Sequence, residues 1–78
     1  MISIYTATWC PYCHMAKQYF DKLGVKYTDK DVESDIQFAN EALAKSGQRG
    51  IPVIDIDGKI IIGFDKTAID SALSAQKA

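Results

Sequence analysis

Residues 2–13, Ile2-Ser3-Ile4-Tyr5-Thr6-Ala7-Thr8-Trp9-Cys10-Pro11-Tyr12-Cys13, lead from a strand pattern into a helix pattern across two cysteines. Ile2–Thr6 is rich in β-branched and aromatic residues, the composition of a strand. Pro11 suits the first position of a helix, where its missing N–H costs nothing. From Tyr12 onward Met15, Ala16, Tyr19, Phe20 and Leu23 recur at three- and four-residue spacing, which predicts one apolar helical face. Gly24 suits the end of that helix, because glycine enters the left-handed conformation without penalty.

Working outward, Val25-Lys26-Tyr27-Thr28 reads as a second strand. A second helix is predicted between Ser34 and Lys45, opening near Glu33 or Ser34, with Ile36, Ala39, Leu43 and Ala44 on its apolar face. Ser46–Gly50 is a loop and Pro52–Ile56 a third strand. Asp57-Gly58 is a strong hairpin signal, which makes Lys59–Ile62 the antiparallel partner. Asp65 or Thr67 opens a last helix that buries Ala68, Ile69, Ala72 and Leu73. The order is βαβαββα within a single domain spanning 1–78. A strand–helix–strand unit implies a parallel pair with a right-handed crossover, and the hairpin adds two antiparallel strands. The expected fold is α/β: a four-stranded mixed sheet flanked by three helices, the architecture of the thioredoxin fold.

The totals narrow the function. The chain has 78 residues and a formal net charge of −1, a near-balance that argues against nucleic acid as a partner. No apolar run approaches the ~20 residues of a membrane span. The N-terminal residues lack the pattern of a signal peptide, so a cytoplasmic monomer is expected. There are two cysteines, whereas a small secreted domain stapled by disulfides usually carries more. Closing so short a loop would also remove little chain entropy, so a structural staple is a poor explanation.

Helix-start placement gives the pair its chemistry. Unpaired N–H groups and the helix dipole favour an anion at that point, and the thiolate is the nucleophilic form of cysteine. Cys10 is therefore expected to be the attacking residue, with a lowered pKa; Cys-X-X-Cys nucleophiles titrate at roughly 3.5–7.5, against ~8.5 for free cysteine. Cys13, one turn further, is placed to resolve a mixed disulfide on Cys10. Tyr12 offers an aromatic ring at the rim for a substrate peptide. His14 and Lys17 add positive charge nearby, and Trp9 either packs or meets a partner. A zinc site would need four ligands, and beyond the cysteines only His14 is at hand, so no metal is expected.

Beyond this reading, the chain resembles the glutaredoxin family over nearly its whole length. The likeness rests on Ile4–Lys17 with its Cys-Pro-Tyr-Cys, on Arg49-Gly50-Ile51-Pro52-Val53, and on Gly63-Phe64-Asp65. The resemblance implies a cis proline at Pro52, which would expose the Ile51 backbone N–H and C=O to an extended substrate. It implies that glutathione's cysteine moiety pairs there. The N–H groups of Phe64 and Asp65, following Gly63, would meet the γ-glutamyl carboxylate, and the Asp65 carboxylate its ammonium group. The plain alternative for Asp65 is a helix cap. Three features depart from the family pattern: Ala7 and Thr8 stand where many members carry a lysine, Gly50 replaces threonine, and Ile62 replaces the first glycine of Gly-Gly. Arg49 or Gln48 would then supply a carboxylate contact.

The implied activity is a glutathione-dependent thiol–disulfide oxidoreductase. Cys10 and Cys13 would reduce protein disulfides and glutathione mixed disulfides, with no permanently bound cofactor and with glutathione as reductant. Gly63-Phe64 is also similar to the glutaredoxin-like redoxins that serve ribonucleotide reductase and are reduced by thioredoxin reductase. A reading from another class is a glutathione-dependent iron–sulfur carrier in which two chains share a [2Fe–2S] cluster through each Cys10. A thiol-independent binding module, in which the cysteines are incidental, is the remaining alternative.

Overall fold

The computed structural model describes residues 2–48 and 50–77. In chain order the elements are β1 (Ile2–Thr6), α1 (Pro11–Leu23), β2 (Thr28–Asp31), α2 (Ile36–Ser46), β3 (Val53–Ile56), β4 (Lys59–Ile62) and α3 (Lys66–Lys77). The strands form one sheet in the order β2-β1-β3-β4. β1 pairs parallel with β2, from Ser3 opposite Thr28 to Thr6 opposite Asp31. It pairs antiparallel with β3, which pairs antiparallel with β4. This is the thioredoxin fold expected from the sequence.

The period of two along the strands sorts the core into two layers. Ile2 and Ile4, with Ile54, Ile56 and Ile61, pack against Ala16 and Phe20 of α1 and Ile69, Ala72 and Leu73 of α3. Tyr5 and Val53 point to the opposite face and pack on Ala42 of α2, with Val32, Phe38 and Ile60 around them. Two helices thus cover one face of the sheet and one covers the other. The β3–β4 turn is the expected Asp-Gly hairpin, with Asp57 at φ 50° and Gly58 at φ 91°, as a two-residue turn with both central residues at positive φ requires.

Four predicted features differ. The second strand is Thr28–Asp31, not Val25–Thr28. The reason lies in how α1 ends. Gly24 sits in the left-handed conformation and donates to Asp21 O, while Val25 N–H donates to Phe20 O at 3.0 Å. Those are the two bonds of a Schellman cap. They claim the Val25 backbone, and Val25 and Tyr27 pack into the core beside Phe20. The Tyr27 ring lies 5.8 Å from that of Phe20. The apolar residues there serve the helix end, and the polar Thr-Asp-Lys-Asp forms the edge strand.

The α1 face is also narrower than its periodicity suggests. Cys13, Ala16 and Phe20 are buried, Tyr19 is half-buried, and Met15 and Leu23 are exposed. On α2, Ile36, Leu43 and Ala44 are exposed, and Ala42 and Phe38 make the core contact instead. Polar contacts also join its sheet side to the strands. Tyr5 Oη donates to Glu41 at 2.8 Å, and Lys45 pairs with Asp55 at 2.6 Å. The cap of α2 is Asp35, whose carboxylate accepts Gln37 N–H at 2.9 Å, rather than Glu33 or Ser34.

Phe20 joins α1, the sheet and the Tyr27 segment, and it is fully buried. Phe20→Ala is expected to cost about 3–5 kcal/mol of unfolding free energy. A urea titration checks this; a loss below 1 kcal/mol would show that the packing there is not what fixes the fold.

Candidate active site

The loop Ala7–Cys10 leaves the end of the central strand and turns into α1. Cys10 N–H donates to Ala7 O at 3.2 Å, and the Cys10 carbonyl accepts His14 N–H at 3.2 Å. Cys10 is therefore the N-cap of α1, with extended dihedrals and Pro11 just inside the helix. Its sulfur accepts the Cys13 backbone N–H at 3.2 Å. A cap normally offers an oxygen to such an orphan N–H; here the acceptor is a thiol sulfur.

The two thiols are free and unequal. Cys10 is 3% exposed and Cys13 is fully buried, so the Cys10 sulfur lies nearer the surface. Burial pushes the Cys13 thiol up to about 12, and its hydrogen bond with Cys10 adds to that. Around neutral pH Cys13 keeps its proton. Ala7 packs with both cysteines, and Val32 and Ile51 pack against the same cluster.

The Ile51–Pro52 peptide is cis. The Cys10 sulfur lies 4.0 Å from the Ile51 carbonyl oxygen, to which the thiol donates weakly. The Pro52 carbonyl accepts Gly63 N–H at 2.8 Å, which ties the turn before α3 to the cis-proline segment. Cys10, Cys13, Ile51, Pro52 and Gly63 thus form one connected group. Asp65 stands at the start of α3, where its carboxylate accepts Ala68 N–H at 3.1 Å and its carbonyl accepts Ile69 N–H at 2.9 Å. Phe64 turns inward, its ring edge-to-face with Tyr19 at 5.8 Å. Tyr12 and Trp9 are exposed at the rim. Arg49 lies outside the described residues.

Gln48 is engaged locally. Its amide accepts Gly50 N–H at 2.5 Å and donates to Gly50 O at 2.9 Å. A Cβ at position 50 would stand 2.5 Å from the Gln48 side-chain oxygen, so glycine there keeps this clamp intact. His14 Nε2–H donates to the Thr8 carbonyl at 2.7 Å and braces the loop before Cys10. No group of three or more metal-binding side chains occurs among the described residues.

Two features lie beyond what the sequence pattern signalled. One is a largely apolar cavity of about 310 Å³ beside the dithiol, lined by Val32, Ile36, Ala39, Leu43 and Ile51, with Asn40 and Gln48 at its edge. Ile36 and Leu43, exposed on α2, face into it. The other is a chain of contacts from Thr6 to Asp29 to Lys17. Thr6 Oγ1 donates to Asp29 Oδ1 at 2.5 Å, and Lys17 pairs with Asp29 Oδ2 at 2.9 Å. Burial works to raise the Asp29 carboxyl, but the Thr6 hydroxyl and the Lys17 ammonium outweigh it and hold it below the ordinary value. The same bond holds the Lys17 ammonium above its own.

The glutaredoxin family model matches residues 2–61. An uncharacterized glutaredoxin-like 8.6 kDa protein in a rubredoxin operon of Clostridium pasteurianum is 40% identical, over 94% of this chain and 97% of that one. Among solved structures, the glutaredoxin-like NrdH-redoxin of Escherichia coli, described as having a thioredoxin-like activity profile, superposes with a TM-score of 0.75. It is 28% identical, over 88% of this chain and 91% of that one. A buckwheat glutaredoxin in complex with glutathione superposes at 0.73 and is 26% identical, over 97% of this chain and 70% of that one.

The folded state holds the Cys13 proton more tightly than the unfolded chain does, since its pKa is raised from 9.0 to about 12. That contribution to stability is complete below pH 9 and is lost as the pH rises toward 12. The urea midpoint of the reduced protein is expected to fall more steeply above pH 9 than that of Cys13→Ala. Parallel slopes would contradict the burial argument.

Proposed function

The chain belongs to the glutaredoxin family, a family of thiol–disulfide oxidoreductases, and we propose that its Cys10/Cys13 dithiol reduces protein disulfides and glutathione mixed disulfides, with glutathione as the physiological reductant. The observation that carries the reading is the Cys10 sulfur at the N-cap of α1, receiving the Cys13 N–H and facing the Ile51 carbonyl.

In the proposed cycle the Cys10 thiolate attacks one sulfur of a substrate disulfide. The departing thiolate takes up a proton, and a mixed disulfide remains on Cys10. Cys13 then loses its proton and attacks the Cys10 sulfur. The Cys10–Cys13 disulfide forms and the second substrate thiol leaves. The substrate has gained two electrons and the dithiol has lost two. Two glutathione thiols return them and become glutathione disulfide. Glutathione is energetically suited to this, because glutaredoxin potentials of roughly −200 to −230 mV lie near a biochemical glutathione poise of ~−220 to −260 mV. A cytoplasmic setting would supply it.

Docking follows from the same geometry. The cis Ile51–Pro52 segment presents backbone to an extended glutathionyl or peptide chain beside Cys10. The start of α3, with Asp65 at its cap, suits the charged γ-glutamyl end. The glutathione complex of the buckwheat relative supports this part of the reading.

A second reading has its own observations. Ala7, buried at 1%, and Thr8 occupy the positions where the family resemblance puts a lysine, and Ile62 is exposed beside Gly63. Together with the apolar cavity next to Ile51, these favour a protein surface over a tripeptide carboxylate. They suit reduction by thioredoxin reductase and donation to a large enzyme such as ribonucleotide reductase. The likeness to the E. coli NrdH-redoxin supports it.

Cys10→Ser is expected to abolish all turnover. Cys13→Ser is expected to lose protein-disulfide reduction, yet to keep removing glutathione from mixed disulfides. Equal survival of both variants in both assays would sink the dithiol cycle. The reductant is decided by NADPH oxidation in coupled assays. Turnover is expected with glutathione plus glutathione reductase; turnover with thioredoxin reductase alone, and none with glutathione, would make the second reading the correct one.

A further inference from the structure

Resolution poses a physical problem that attack does not. Cys13 must ionise to displace substrate from Cys10, yet it is fully buried, and burial favours the neutral thiol. Lys17 stands four residues beyond Cys13 on α1, the spacing that puts two side chains on one stripe of a helix. Its ammonium does not roam. Asp29 of β2 holds it at 2.9 Å, and the buried Thr6 at the end of β1 fixes Asp29 from the other side. The lysine side chain is 22% exposed, so its charge is only partly screened by water.

We propose that Lys17, held by Asp29 and Thr6, is the charge that lets the buried Cys13 lose its proton and resolve the mixed disulfide on Cys10. Asp29 and Thr6 are positioning residues in this arrangement. The proposal rests on the dithiol cycle above.

The titratable groups facing this corner are Cys10 from the loop, His14 and Lys17 from α1, Tyr27 from the segment before β2, and Asp29 from β2. Among the described residues, Lys17 is the ammonium that acts on Cys13. The forces that hold the Cys13 proton are, in order, burial, the hydrogen bond with Cys10 and the charge of Cys10. Two of these belong to Cys10 as a free thiol or thiolate. Once Cys10 is bonded to substrate its charge is gone and its sulfur offers less to the Cys13 thiol. Burial then stands against the Ala7 backbone, the larger of the two opposing influences, and the Lys17 charge. The resolving thiol therefore stays protonated in the resting dithiol and becomes easier to ionise once a mixed disulfide exists. The proton leaves to solvent, the Cys13 sulfur bonds to the Cys10 sulfur, and the substrate sulfur departs with the electron pair.

The test uses 5,5′-dithiobis(2-nitrobenzoate) on the reduced full chain. The first thionitrobenzoate released reports attack by Cys10, and the second reports displacement by Cys13. Lys17→Gln is expected to lower the ratio of the second rate to the first roughly threefold to tenfold at pH 7. It is also expected to move the pH midpoint of the second release upward. Lys17→Arg keeps the charge and should restore both. An unchanged ratio and pH profile in Lys17→Gln overturns the proposal, and so does failure of Lys17→Arg to restore them, which would assign the loss to packing. Absence of any second release from the wild-type protein would instead overturn the dithiol cycle itself.

Discussion

The Cys13 amide aimed at the Cys10 sulfur, at 3.2 Å, is the contact on which the site depends. It makes a thiol the N-cap of α1. A helix start leaves N–H groups without intrahelical partners, and α1 gives one of them a sulfur in place of a hydroxyl or carboxylate oxygen. The consequence is chemical as well as structural. Negative charge developing on Cys10 is met by a donor already in place, so little has to rearrange when the thiol becomes a nucleophile. The rest of the fold delivers that sulfur. The buried central strand β1 ends at Thr6, the loop is braced by His14 on the Thr8 carbonyl, and the cis-proline segment brings the Ile51 carbonyl to the other side.

Much of this was readable from residues alone, for a physical reason. β1, the hairpin and the start of α1 are decided locally by β-branched residues, Asp57-Gly58 and Pro11. The unequal burial of the two cysteines also follows locally, because position in a helix fixes which sulfur lies nearer solvent. Elements decided by tertiary partners read less well. Val25 and Tyr27 look like strand residues because they are apolar and β-prone, yet the Schellman cap of α1 draws them under Phe20. The true strand, Thr28–Asp31, is polar because it lies at the sheet edge. Ile36 and Leu43 read as core, but α2 turns Ala42 and Phe38 to the sheet, where Tyr5–Glu41 and Lys45–Asp55 contacts join it, and Ile36 and Leu43 border a cavity instead.

The same division holds at the site. Pro52 was expected to be a cis proline and Asp65 a ligand contact or a plain helix cap; the Ile51–Pro52 peptide is cis, and the Asp65 carboxylate accepts Ala68 N–H. Phe64 was expected mainly for its backbone, and its ring proves to be part of the packing against Tyr19. Gln48 was expected to reach toward a ligand, yet its amide is spent on Gly50. Val32 carries no motif at all, and its place over the dithiol comes from where β2 ends. Lys17 was visible only as charge near the cysteines. What gives it a definite position is Asp29, twelve residues away on a strand that the apolar pattern placed three residues too early.

The central claim is that the two sulfurs act in a fixed order, Cys10 first and Cys13 second. The most direct measurement mixes the reduced wild-type protein with less than one equivalent of glutathione disulfide, quenches with acid at successive millisecond intervals, and maps the peptides by mass spectrometry. The account predicts glutathione on Cys10 at the earliest times, giving way to the Cys10–Cys13 disulfide. Glutathione found first on Cys13, or on both cysteines alike, would contradict it.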